Sequence, residues 1–163
     1  MPDFLEGPYL PALGLAAELS EEDRGTLSSY GEFRFADRGE ALIVQGESHG
    51  KLVFILSGVL HAIRRDTERD VLLGSIRRGE WVGEVELFDP AGALCSVMVI
   101  EPIQYWTITR SNLEEFINHY PKAGTQIVIS LAALLSKRLR SVTKRLMEEA
   151  ELALVRASFL VES

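Results

Sequence analysis

Hydrophobic and polar positions change texture twice along the chain. Residues 9–33 read as short helices. Ser20 stands where an N-cap belongs, and Glu21, Glu22 and Asp23 follow in a first turn, where the helix dipole favours acids. From Phe33 to Thr109 short β-rich runs take over at 41–44, 52–56, 59–63, 71–76, 97–100 and 104–108. The glycines at 39, 46, 50, 58, 74, 79 and 83 punctuate them. Val53 and Ile55, and then Leu60 and Ala62, alternate so that one side of each strand faces inward. Many short strands at regular spacing predict a mainly β fold with flanking helices. The architecture expected is a jelly roll (double-stranded β-helix) over 34–109, followed by helices over 111–160.

After Pro121 the pattern turns helical and stays so. Ile127, Leu131, Leu135, Leu139, Val142 and Leu146 recur at helical spacing, and Ala150, Ala153, Ala157 and Leu160 continue the stripe. With no glycine or proline beyond Gly124, one helix of more than about thirty residues is predicted, longer than a small roll can cover. An exposed stripe of this kind packs against a partner helix. Leu131, Leu135, Leu139, Val142 and Leu146 are therefore the expected contact residues of a homodimer.

Composition narrows the class. At 163 residues, 47% hydrophobic and 25% charged, the chain is expected to be one globular domain over 1–163 and not a disordered one. A net charge of −7 argues against gripping nucleic acid or anionic lipid with the whole surface. The single cysteine, Cys95, excludes an internal disulfide framework and suits a reducing, cytoplasmic setting. Its apolar neighbours predict a buried thiol. Residues 1–11 carry no leader pattern, and no apolar run is long enough to span a bilayer.

Several of these segments occur in a familiar order. Gly39-Glu40, Gly46-Glu47, LVFILSG at 52–58, LGSIRRGEWVGEVELF at 73–88 and IEPIQYWTI at 100–108 together resemble the cyclic-nucleotide-binding domain family over residues 13–145. The resemblance implies a regulatory binding module whose ligand sits in the segment 83–97. There Gly83 and Glu84 would open a short helix, Glu84 would take a ribose hydroxyl, and an arginine followed by small and hydroxyl residues would grip the phosphate. Guanidinium suits that task because it pairs bidentately with phosphate. Gly83, Glu84, Leu87 and Ser96 match the family pattern. Ala93, however, stands where the arginine belongs, and a shift of one residue gives Leu94. Between Gly79 and Thr109 there is no Lys, Arg or His, while Glu80, Glu84, Glu86, Asp89 and Glu101 are present. Glu86 replaces a small residue and is expected to repel an anion. Gly83, Glu84, Val85, Ala93 and Ser96 are thus the expected lining of a degenerate pocket. It would take no cofactor, or a cyclic nucleotide only weakly, and the protein would act through a partner or another ligand.

Two rival readings remain open at this point. A working cyclic-nucleotide sensor would need a cation from elsewhere, with Arg64, Arg65 and Arg138 as candidates. A cupin-like metal enzyme would use His49, His61 and Glu47, but no His-x-His pair is present. No serine sits in a nucleophile-elbow pattern, so no enzyme activity is expected. Lys137, Arg138, Arg140, Lys144 and Arg145, followed by Glu148, Glu149 and Glu151, read as a solvated helix face, with docking of an acidic partner as the alternative. In the transcription-factor members a helix-turn-helix domain follows the long helix. The sequence ends at Ser163 without one, so no DNA binding by this chain is expected.

Overall fold

The computed structural model describes residues 9–161, with side chains to Phe159; residues 1–8 of the leader reading and Leu160 of the stripe lie outside the described residues. The backbone forms two compact units, one up to Ile127 and one from Val128.

In the first unit a 3-10 turn, Gly14–Ala16, precedes helix α1, Glu21–Ser28. Ser20 caps α1 as its position predicted, accepting a hydrogen bond from the Asp23 backbone N–H at 3.1 Å. Six strands follow: β1 Glu32–Ala36, β2 Ala41–Ile43, β3 Lys51–Arg65, β4 Asp70–Arg77, β5 Trp81–Val82 and β6 Ser96–Thr109. They pair antiparallel in the order β1-β6-β3-β4, with β2 added to β6 and β5 to β3. Helix α2, Glu84–Phe88, interrupts the roll between β5 and β6, and α3, Arg110–His119, leaves it. The mainly β architecture with flanking helices is the one predicted.

The strand boundaries differ from the sequence pattern in two ways. The runs 52–56 and 59–63 are one strand, β3, and the runs 97–100 and 104–108 are one strand, β6. Their register slips between Ser57, paired with Gln104, and Val59, paired with Glu101. Pro102 lies in that slip, where a residue without an N–H costs the ladder nothing. The chain therefore bends without ending the strand. The second difference is two strands that the runs did not mark, β1 paired with β6 and the two-residue β5 paired with β3.

Inside the roll, Ile43, Val53, Ile55, Leu60, Ile76, Val82, Val97, Val99 and Ile103 form one apolar cluster, and Ala93 belongs to it. A second buried group joins the sheet to α1. Phe54 stacks on Trp81 with ring centres 4.3 Å apart, and the Trp106 indole N–H donates to the Ser28 carbonyl at 3.2 Å.

Helix α4, Pro121–Val161, is 41 residues long, in keeping with the uninterrupted helical pattern. Proline at its first position is tolerated because that N–H has no helical acceptor. The apolar stripe on it is not uniform. Leu131 is 1% exposed. Leu135 is half-buried. Leu139, Val142 and Leu146 are 68%, 53% and 60% exposed, so the open part of the predicted contact begins at Leu139.

Candidate functional site

The segment 83–97 is built against one turn, residues 45–51, that joins β2 to β3. At its start Gly83 holds a left-handed conformation, φ 92°, as N-cap of α2. A Cβ there would stand 2.3 Å from the Lys51 carbonyl oxygen and 2.9 Å from His49 Cε1, so only glycine fits. At the far end Gly92, φ 85°, lies so close to Gly46 that a Cβ would meet its carbonyl oxygen at 2.7 Å. Between the two, Ala93 exchanges backbone hydrogen bonds with the turn: Gly46 N–H donates to the Ala93 carbonyl at 2.8 Å, and Ala93 N–H donates to the Glu47 carbonyl at 3.0 Å. Ser96 Oγ accepts from the Gln45 N–H at 3.0 Å. Gly83, Ala93 and Ser96 are thus brought to one turn.

Helix α2 inverts the usual rule for side chains. Its two carboxylates, Glu84 and Glu86, are 1% and 3% exposed, while Val85 and Phe88 project outward. Burying a carboxylate is costly unless donors surround it. Glu86 has three. Ser48 Oγ donates to Oε1, and the backbone N–H groups of His49 and Gly50 donate to Oε2 at 3.3 and 2.7 Å. Glu86, expected to repel an anion, thus turns both oxygens into the 48–50 turn. The Ser48 hydrogen bond first, and the Gly50 N–H next, hold its carboxyl below the ordinary carboxylate range against the opposing effect of burial.

His49 lies beside it, half-buried, with Nδ1 3.6 Å from Glu86 Oε2 and accepting the Lys51 N–H at 3.1 Å. An accepting Nδ1 places the proton of the neutral ring on Nε2. Burial pushes the imidazole below its ordinary value, and Glu86 opposes that without reversing it. Both shifts act in one direction on stability. The folded chain resists protonation at His49 and Glu86 more than the unfolded chain does, so acid favours unfolding. Thermal stability is expected to decline as pH falls below about 6.5, from His49, and again below about 4.3, from Glu86. His49→Gln should remove the upper part of that decline in calorimetric scans. A decline of unchanged size in the variant would contradict this assignment.

The phosphate end of the segment contains no cation of its own. Ala93 is 8% exposed, with its side chain in the apolar cluster of the roll. Leu94 is exposed instead, and its carbonyl accepts a hydrogen bond from Arg64 Nη1 at 2.9 Å. Arg64, 30 positions away in sequence, thus reaches this stretch, while Arg110 Nη1 donates to the Leu87 carbonyl in α2 at 3.3 Å. Arg65 pairs instead with Asp70, at 2.9 and 3.2 Å. Cys95 is half-buried, not fully enclosed as its neighbours predicted, because Leu94 turns outward.

Among the described residues no group of three or more His, Cys, Asp and Glu side chains is placed to hold a metal ion, and His49, His61 and Glu47 do not gather into one. No helix among the described residues is long and apolar enough to cross a membrane. Sequence reasoning missed Gln45 and Ser48, whereas Arg64 was among its candidate cations. The one signal for the turn was its pair of flanking glycines, Gly46 and Gly50, which mark a tight loop without saying what it holds.

The segments and geometry have known counterparts. The cyclic nucleotide-binding domain family matches residues 33–120. The chain is 27% identical over 110 residues to a CRP-like cAMP-activated global transcriptional regulator of Mycobacterium tuberculosis, an alignment covering 67% of this chain and 47% of that protein. It thus spans about half the length of that curated relative. Its fold matches the crystal structure of the Thermus thermophilus catabolite activator protein, at 25% identity and a TM-score of 0.74, over 82% of this chain and 61% of the other. It also matches a cyclic nucleotide-binding domain from Methylobacillus flagellatus, at 24% identity and a TM-score of 0.76, over 80% of this chain and 74% of that one. With the roll, the short helix inside it and more than half of the sequence in agreement, the chain belongs to the cyclic nucleotide-binding domain family of regulatory sensor domains.

Proposed function

We propose that the chain is a non-enzymatic regulatory module whose phosphate site is degenerate, and that it works as a homodimer through a partner protein or a ligand other than a cyclic nucleotide. The observation that carries this is Ala93. At the position expected to present a guanidinium to a phosphate, a methyl group points into the apolar cluster of the roll. No Lys, Arg or His between Gly79 and Thr109 replaces the charge from the same segment. A pocket that buries an anion without a paired cation binds it poorly. Titration calorimetry with cyclic AMP tests the reading, with an expected dissociation constant of about millimolar or weaker.

The homodimer reading is supported by the exposed apolar positions Leu139, Val142 and Leu146 on one side of α4. With a net charge of −7, the chain is proposed to make no strong contact with DNA by itself, since such contacts rest on neutralising phosphates. A cytoplasmic setting is proposed from the single cysteine.

A second reading has one observation in its favour. The Arg64 guanidinium already reaches the carbonyl of Leu94, next to Ala93. A cyclic nucleotide bound there would take its phosphate cation from β3 and not from the segment 83–97. Under this reading Arg64→Ala abolishes a binding isotherm that the unmodified chain displays.

A further inference from the structure

We propose that Glu86 is a built-in tie that positions α2 against the roll, so that the segment 83–97 keeps its order with no ligand present. The proposal deepens the reading of a degenerate site and rests on it only for its biological meaning.

The geometry is specific to this side chain. Ser48 Oγ and the N–H groups of His49 and Gly50 all converge on one carboxylate that α2 carries across from the opposite wall. Gly50 holds a positive φ of 55°, and successive N–H groups leading into such a residue form a concavity suited to an anionic group. Glu86 fills that concavity from within the chain. The same turn also holds the far end of the segment through the two Ala93 hydrogen bonds and the close approach of Gly46 to Gly92. With Gly83 seated against Lys51 and His49, the turn grips the segment at its start, in α2 and at its end. Only the hold in α2 depends on a side chain of α2. Without Glu86, the five-residue helix would keep Leu87 as its main buried apolar anchor and Glu84 as its remaining buried carboxylate. Such a short helix has little stability of its own. Glu86 is therefore a positioning residue, and its effect is local.

Hydrogen exchange measured by mass spectrometry on the full chain reads this directly. In Glu86→Ala, amides of residues 84–88 and 48–51 are expected to exchange about ten- to a hundredfold faster, the loss that follows from removing charge-assisted hydrogen bonds. Amides in the β3–β6 ladder should keep their protection. Glu86→Gln, which keeps an acceptor but loses the charge, should fall between the two. Should the alanine variant fail to fold, Ser48→Ala and Glu86→Gln carry the same readout with one contact removed or weakened. Unchanged exchange at 84–88, or an increase spread evenly over the roll, would overturn the proposal. No nucleotide or partner enters this measurement, so its failure is distinct from failure of the degenerate-site reading.

Discussion

Replacing Leu139 and Leu146 by aspartate is expected to leave a folded monomer where the unmodified chain forms a dimer. Both leucines are exposed in the single chain, at 68% and 60%, and lie on the same side of α4 as Val142. A two-fold dimer presents each substitution twice, so four leucines lose their burial together. At about 1.5 kcal/mol each, the low end for a leucine side chain, the loss is about 6 kcal/mol. That raises the dissociation constant by more than about four decades. Four aspartates on facing helices add repulsion to the loss. Stable dimers usually bury more than about 1,200 Å² in total, which a helix of this length can supply from both copies. Light scattering at micromolar concentration measures the mass, and circular dichroism checks that the helix persists. A monomeric unmodified chain, or a variant that keeps the dimer mass, contradicts the assignment.

Ala93→Arg is expected to destabilise the protein strongly, although it restores the residue type that the family pattern prescribes. The Ala93 side chain belongs to the buried apolar cluster of the roll, and both of its backbone groups are bonded to the turn, so it cannot swing outward without breaking them. Arginine does not escape by losing its proton. An unpaired buried charge costs about 3–5 kcal/mol, and a chain of this size loses roughly 2–4 °C of melting temperature per kcal/mol. A fall of about 6–20 °C is expected, and millimolar cyclic AMP should recover part of it if a phosphate can meet the new guanidinium. Combining the change with Glu86→Ala, which would seem to relieve repulsion, should deepen the loss, because Glu86 is an anchor and not a free charge in the pocket. Leu94→Arg is the mild comparison, since Leu94 is already exposed. A melting temperature for Ala93→Arg within about 2 °C of the unmodified chain would show that position 93 is open.

These expectations separate what the residue order discloses from what it hides. The roll was legible because its corners are glycines and its strands alternate, and the long helix was legible because nothing after Gly124 interrupts it. Continuity of β3 through Ser57 and Gly58 was not, since backbone pairing survives a register slip that breaks the side-chain pattern. The absence of an arginine at 93 could be read from residue types alone, whereas the inward direction of Ala93 required the turn that holds it. Glu86 shows the limit most plainly. Its acidity suggested repulsion, but its donors lie 36 to 38 positions away, and no local pattern relates them. Leu131 likewise shares the helical spacing of the open stripe, and its burial, 1% exposed, is not legible from that spacing.

The central claim is that the phosphate end of the segment 83–97 lacks a working cation. Losing the buried charged partner of an anion costs about 2–5 kcal/mol. At the upper end a site of about micromolar strength would weaken roughly 3,000-fold, to about millimolar. Titration calorimetry of the unmodified chain with cyclic AMP measures this most directly. The account predicts no saturation below about millimolar nucleotide, whereas a dissociation constant tighter than about 50 μM, abolished by Arg64→Ala, would contradict it and make the chain a working sensor with its cation on β3.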